Sequence, residues 1–315
     1  MLFRSNQNTG FAKANNLGLK EAQGEFVLLI NPDTLVPEDL FDRAFAFLGS
    51  NADAGAVGFR LINGQGRFLK ESKRGFPTVW ASFCKLSGLT SLFPRSRYFA
   101  SYYLGHLSPS QINRVPVLSG AALIVRRQVL DQVGGFDERF FMYAEDIDLC
   151  YRIHQYGWAN YYFPEITLLH FKGGSSTKSK AYFIQFYLAM RQFFEKYTGK
   201  EYAAWSKKTV VSTIRLLCLV KILLNVQKKV QPPITLLTAM VQKLKLRQEP
   251  SALVSSGNSC LLCPGDTFSY RDTIRFIEQN GSRKTCFVHC EGSFGVVGTY
   301  RDTPVGLGDR KSTRL

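Results

Sequence analysis

Two hydrophobic rhythms alternate along the first part of the chain. Residues 11–23, FAKANNLGLKEAQ, carry apolar positions at helical spacing and run into Gly24, which predicts a helix closed by glycine. Residues 25–30, EFVLLI, are an uninterrupted apolar run, the pattern of a strand buried on both faces. NPDT at 31–34 stops it. Pro37 then opens PEDLFDRAFAFLGS, a helix with proline and acids in its first turn. AGAVGFRLI at 54–62 predicts a second strand, followed by an NGQG turn. Strand, helix, strand in this order predicts an α/β fold with a mostly parallel, Rossmann-like sheet.

Residues 70–113 break the rhythm: they are irregular, aromatic and basic, with Pro77 and Pro94. VPVLSGAALIVRR at 115–127 predicts a strand pair or strand and turn, and RRQVLDQVGGF a short helix ending at Gly134 and Gly135. IDLCYRIHQYGW predicts a helix stopped by Gly157, and NYYFPEITLLHF at 160–171 a strand that enters a glycine-serine turn. Residues 181–250 read as helical, and between 201 and 250 only Glu201 and Glu249 offset the basic residues. TVVSTIRLLCLVKILLNV is apolar, but Arg215 and Lys221 interrupt it, so it predicts an interfacial or bundle-packing helix rather than a membrane span. EPSALVSSGNS is linker-like, and CLLCPGD, YRDTIRFIEQNG and KTCFVHCEGS predict a partial second α/β module.

The 315 residues, 45% hydrophobic and 20% charged, suffice for one large domain or two smaller ones. The formal charge of +16 suits an anionic partner. Nucleic acid is disfavoured, because no recognisable nucleic-acid module is present. The basic residues concentrate beside apolar helices, which points to an anionic lipid surface. Seven cysteines without a signal peptide predict reduced thiols in a cytosolic setting. Residues 1–5 and 309–315 can be encoded by the two strands of one string that resembles a sequencing-library adapter, so both tails are set aside.

Several groups of residues invite chemistry. Asp33 in NPDT lies just past the carboxyl end of a strand, where open α/β sheets bind ligands, and a carboxylate there can hold a hard cation. Asn, Pro and Asp are equally turn formers. FMYAEDIDLCYRI at 140–152 concentrates Glu145, Asp146 and Asp148 at a predicted helix start, with Asp137 and Glu138 just upstream. Acids are stabilised there by free N–H groups and the helix dipole, and one of them can equally serve as a general base. His170 ends a strand and can complete a metal site or be structural. Cys260, Cys263, Cys286, His289 and Cys290 have the flavour of a zinc site, although cysteines in apolar strands are commonly buried small residues.

In order, NTGFAKANNLGLKEAQGEFVLLINPDT, KRGFPT, SGAALIVRRQVLDQVGGFDERFFMYAEDIDLCYRIHQYGW and LLHFKGGSS resemble the family 2 glycosyltransferases of GT-A fold, especially the rhamnosyltransferase-like branch. The resemblance spans about 8 to 198. It implies a GT-A catalytic domain at 6–200, incomplete at its N-terminal side, then a basic helical region and linker at 201–255 and a truncated α/β module at 256–308. The family's opening strand and nucleotide-contacting acidic segment have no counterpart here, so little or no activity is expected of residues 1–315 as they stand.

Residue by residue, the resemblance implies that Asp33 matches the metal-binding aspartate, with Asn31 in place of the first acid. The metal would be Mn²⁺ or Mg²⁺ on the diphosphate of a nucleotide-sugar. Asp146 matches the general base and Glu145 a supporting residue that orients the acceptor. The helix dipole is expected to hold both acids ionised. Gly10, Lys13 and Asn16 match the donor-pocket segment, Gly120 and Ala121 the small residues beneath the sugar, and His170 a position that touches metal or diphosphate. The implied reaction is in-line, inverting transfer from a dTDP- or UDP-sugar to a hydroxyl of a cell-surface glycan or lipid-linked acceptor. The enzyme would sit in the cytoplasm, peripheral at the inner face of the membrane. A sugar nucleotidyltransferase or a non-catalytic membrane-surface remnant are the alternatives. The former would want a basic, glycine-rich phosphate loop near its start, which is absent, and intact Asp33 and Asp146 argue against the latter.

Overall fold

Buried alternate positions build one central sheet in the computed structural model, which describes residues 9–171, 179–197, 202–225 and the elements between 253 and 304. The strand order is β1 (Phe26–Ile30), β7 (Ala122–Arg126), β3 (Ala54–Ile62), β8 (Ala159–His170) and β2 (Thr34–Leu35), with β5 (Asn113–Arg114) also on β8. β3 and β8, the long central pair, run parallel. The β1–β7, β7–β3, β8–β2 and β8–β5 pairs are antiparallel. The expected α/β class holds, and the sheet is mixed rather than uniformly parallel because β7 returns between β1 and β3. A short ribbon of β4 (Lys73–Arg74) and β6 (Val117–Leu118) stands beside it.

Period-two alternation gives the sheet two covered faces. Val57, Phe59, Leu61 and Ile124 pack with Leu40, Ala44 and Leu48 of α2 (Leu40–Ser50) on one face. Ala56, Leu123 and Val125 pack on the other, against α1 (Phe11–Glu21), α5 (Arg127–Val133) and α6 (Glu145–Gln155). Each fully buried Leu or Phe in these layers stabilises by about 1.5–3 kcal/mol. At Gly58 an added Cβ would lie 2.8 Å from a Leu118 methyl, so glycine lets the ribbon press onto the sheet.

Some boundaries differ from the sequence pattern. α1 stops at Glu21, where Ala22 turns extended, before Gly24 is reached. α2 begins at Leu40, because residues 37–39 form a turn closed by Leu40 N donating to Pro37 O at 3.2 Å. β1 is an edge strand, and its apolar run is buried on alternate positions only, leaving Ile30 37% exposed. The 70–113 region contains two short helices, α3 (Val79–Leu86) and α4 (Leu89–Leu92).

Helices α7 (Lys180–Lys196) and α8 (Ala204–Asn225) follow the sheet domain. Beyond them, a second sheet runs in the order β13 (Thr303–Pro304), β12 (Val296–Tyr300), β11 (Thr285–His289), β10 (Ser259–Leu262) and β9 (Leu253–Ser256). With α9 (Tyr270–Asn280) it has the expected α/β content. Both expected tails, the turn at 172–178 and the segment 226–252 lie outside the described residues, as do the side chains of Cys260, Cys263, Cys286, His289 and Cys290.

One buried charge network ties α6 to α7. Asp148 is fully buried, and its carboxylate accepts from Arg152 Nε at 2.9 Å, from Tyr197 OH at 2.7 Å and from Lys196 Nζ. Lys196 also reaches Asp137 at 2.7 Å, and Arg152 spans to the carbonyls of Val133 and Gly135. Burial works to raise the Asp137 pKa, but hydrogen bonds from Arg139 and Lys196 outweigh it and hold the carboxyl well below its usual range. Removing one member of such a network strands its partners' charges. Asp148→Ala is therefore expected to cost about 3–5 kcal/mol, read as a lowered urea midpoint with little change in slope.

Candidate active site

The strand ends place the first half of the site. Asn31 N donates to Ala121 O at 2.9 Å as β1 ends, and Thr34 N returns to Asn31 O at 3.1 Å. The turn delivers Thr34 into register opposite His170. Phe171 N donates to Asp33 O at 2.9 Å, and His170 Nε2 lies 3.3 Å from Asp33 Oδ1. The sequence leaves this encounter open. It follows from the antiparallel β2–β8 pair.

The second half is the start of α6. Tyr143 and Ala144 both adopt positive φ, 72° and 64°. Such strain in non-glycine residues costs on the order of 1–3 kcal/mol and is retained where the surroundings demand it. It turns the chain so that Glu145 and Asp146 begin the helix. Asp146 Oδ2 accepts from Arg74 Nη2 at 2.5 Å and from Gly120 N at 2.9 Å, and Oδ1 from Ile147 N at 2.8 Å. Burial acts to lower the Arg74 pKa, but Asp146 and Tyr102 outweigh it, so the guanidinium stays charged.

Glu145 departs from expectation. The helix start is where the sequence places it, but the dipole does not keep Glu145 ionised. Burial, and then the neighbouring Asp146 charge, push its pKa up to about 8. Desolvation of the carboxylate outweighs the dipole at this position. Glu145 and Asp146 border a cavity of about 170 Å³, which Arg74, Lys85, Tyr102 and Phe186 also line.

The turn at 119–121 joins the halves. Gly120 N holds Asp146, while Ala121 O accepts from Asn31 N and, at 3.3 Å, from Thr34 Oγ1. A Cβ on Gly120 would sit 3.0 Å from Asp146 Cβ, so the close approach needs glycine. Among the described residues, the buried polar atoms without a hydrogen-bond partner include one on each of four residues of the two halves: Asp33 Oδ1, His170 Nδ1, Arg74 Nε and Glu145 Oε2. Buried polar atoms left unpaired are costly and call for a ligand or water. A carboxylate and an imidazole suit Mn²⁺, and Mg²⁺ commonly takes few protein ligands with phosphate and water completing its shell. Among the described residues no cluster of three or more His, Cys, Asp or Glu exists, so phosphate or water oxygens would have to supply the remaining positions. On that donor set Asp33 and His170 fit a divalent cation bound together with a phosphate ligand.

The other anticipated residues sit differently. Gly10 caps α1 with φ of 85° against Phe141, where a Cβ would meet the ring at 2.7 Å. Lys13 is exposed on α1. The Asn16 amide donates to Phe136 O at 2.8 Å and to Glu138 Oε1 at 3.0 Å and accepts from Phe136 N at 2.8 Å, which clamps the loop leading to α6. Arg74 is the functional candidate that the sequence pattern missed. It lies in KRGFPT, but only the β4–β6 ribbon brings it to Asp146.

A family profile described as "Glycosyltransferase like family 2" matches residues 1–190. The N-acetylglucosaminyl-diphospho-decaprenol L-rhamnosyltransferase of Mycobacterium tuberculosis (strain ATCC 25618 / H37Rv) is 34% identical over 157 residues, covering 50% of this chain and 50% of that protein. Rhamnosyltransferase WbbL of Escherichia coli (strain K12) is 25% identical over 178 residues, covering 51% of this chain and 61% of that protein. The chain thus spans about half the length of the first of these relatives. Among solved structures, a mannosyltransferase from Pyrobaculum calidifontis in complex with GDP-Man and Mn²⁺ aligns with a TM-score of 0.41 at 18% identity, covering 90% of this chain and 68% of that one. With the profile spanning more than half of its residues, the chain belongs to the glycosyltransferase family 2-like proteins.

Proposed function

We propose that this sequence encodes the catalytic core of an inverting glycosyltransferase, which moves a sugar from a nucleotide-diphosphate donor to a hydroxyl of a cell-surface glycan or lipid-linked acceptor. The observation that carries this reading is the 119–121 turn, which bonds Asp146 through Gly120 and, through Ala121, bonds Asn31 and Thr34 on either side of Asp33. Donor and acceptor chemistry need such adjacency, because in-line displacement requires the base and the leaving group on opposite sides of one carbon. Rhamnose as the transferred sugar follows the names of the rhamnosyltransferase relatives; a dTDP- or UDP-linked donor is carried over from the family resemblance alone. A lipid-linked acceptor follows the diphospho-decaprenol in the first name.

Asp33 and His170 would hold Mn²⁺ or Mg²⁺. When bound, such a cation supplies positive charge for the departing diphosphate. Asp146, positioned by Arg74 and by two backbone N–H groups, takes the proton of the attacking hydroxyl. Glu145, protonated at neutral pH, donates a hydrogen bond that orients the acceptor. Gly120 and Ala121 leave room for the sugar, and Gly10, Lys13 and Asn16 shape the donor side. No helix among the described residues is long and apolar enough to cross a membrane, which is compatible with a peripheral place at the cytoplasmic face.

Two outcomes test this reading. Asp146→Asn should lower sugar transfer by about 10²–10⁴-fold while Mn²⁺-dependent nucleotide binding, read by calorimetry, stays intact. Loss of binding with the base replaced would count against the assignment. Because the chain spans half of its relative, transfer is to be assayed in the full-length protein and nucleotide binding in both.

Glu145 gives a pH signature. The folded state keeps its proton up to about pH 8, whereas the unfolded chain releases it near 4.5. Between those values the folded state binds more protons, so its stability falls as pH rises and levels off above the higher value. Glu145→Gln removes this loss. Its melting temperature should match wild type near about pH 5 and exceed it near about pH 8.5, by the equivalent of about 1–3 kcal/mol.

A further inference from the structure

Helices α3 and α4 are built inside out. α3 buries its small residues, Ala81 and Cys84, and exposes its large ones, with Trp80 at 50%, Phe83 at 53% and Leu86 at 41%. Trp80, Phe83 and Leu86 recur at a spacing of three, so they share one side of the helix. α4 repeats the inversion. Thr90 is buried and donates to Phe99 O at 2.8 Å, while Leu92 is 69% exposed and Phe93 and Tyr98 lie open beside it. The rings support one another: Trp80 stacks on Phe83 at 5.8 Å, and Phe93 meets Phe99 at 5.1 Å. The Trp80 indole N–H donates to Tyr98 O at 3.3 Å, which fixes the ring at the surface. A helix that hides alanine and displays tryptophan is ordered for something outside the molecule.

Charge says what that partner is. Arg95 and Arg97 are exposed within the same segment, and Lys85 borders it. No Asp or Glu occurs anywhere between Glu71 and Asp131, so every formal charge in this stretch is positive. Aromatic residues beside a cationic rim, without acids, match the interface of an anionic bilayer, where rings sit at headgroup level and cations meet lipid phosphates.

We infer that the face formed by residues 79–99 docks on an anionic lipid surface. Arg95 and Arg97 make the first electrostatic contact, and Trp80, Phe83, Leu92 and Phe93 insert. The place of this face matters. Ser82, Lys85 and Leu86 of α3 line the cavity that also holds Glu145 and Asp146. On the transferase reading, which this consequence rests on, the acceptor's reacting end enters that cavity directly from the bilayer. The docking itself does not depend on that reading, and its test reads binding rather than turnover.

The test is co-sedimentation of the full chain with phosphatidylcholine vesicles, pure or containing roughly 30 mol % phosphatidylglycerol. Wild type should sediment with the anionic vesicles, weakly with the neutral ones, and less at about 0.5 M NaCl. The triple variant Trp80→Ser, Phe83→Ser, Leu92→Ser should lose at least about ten-fold in partition, and Arg95→Ser with Arg97→Ser a comparable factor. A matched pair on α8, Leu219→Ser and Leu223→Ser, should bind as wild type does. Unchanged circular dichroism and melting of each variant keep the comparison one of surfaces. Three results overturn the inference. One is vesicle binding retained by the triple variant but lost by the α8 pair. Another is no binding of wild type to either vesicle. The third is wild-type self-association that the triple variant abolishes, without vesicle binding, which would make the face an interface between copies of this chain.

Discussion

The Asp146 carboxylate is where the fold and the candidate chemistry meet. Three segments distant in sequence converge on it: Arg74 from the β4–β6 ribbon, Gly120 from the turn into β7, and the first turn of α6. A buried carboxylate is tolerated only with such donors around it. The same donors aim it, so the hydrogen bonding that the fold requires and the positioning of the carboxylate are met by one arrangement. The strained backbone at Tyr143 and Ala144 is explained by this convergence, because a relaxed entry into α6 would rotate both acids away.

Support comes from behind. Two residues further along α6, Asp148 gathers Arg152, Lys196 and Tyr197 in full burial. α6 is thereby pinned to α7 and, through Arg152, to the loop before it. Asn16 clamps the same loop from α1. The acid pair therefore rests on a helix whose far side is locked by charge and whose near side opens on a cavity. Asp146 and Asp148 are two positions apart, yet one faces the cavity and the other the core. Glu145 differs from both. Its Oε2 has no hydrogen-bond partner, and burial, then the Asp146 charge, raise its pKa against the opposing pull of a backbone hydrogen bond and Arg74.

Charge is unevenly spread over the chain as well as in the site. Five acids cluster in residues 137–148, while the stretch from 72 to 130 holds none. The same stretch displays large apolar side chains on α3 and α4, and Leu86 of α3 also lines the cavity.

The order of strands and helices was legible in the one-dimensional pattern, because burial on a sheet or a helix face imposes its period on the residues that fill it. The end of β1 at NPDT, β3 buried at every position but Arg60, the long β8 and the start of α6 at the acids all follow from it. So did the candidate residues, since Asp33, Glu145, Asp146 and His170 stand at element ends, where a scaffold can present them. What local pattern could not reveal were the long-range choices. β7 slips between β1 and β3, so EFVLLI pairs with β7 rather than directly with AGAVGFRLI. The β2–β8 pairing puts His170 beside Asp33, and the β4–β6 ribbon carries Arg74 to Asp146. The protonated state of Glu145 likewise arises from desolvation, a property of surroundings assembled from distant segments. Periodicity records which side of an element is buried; only the packed structure decides against what.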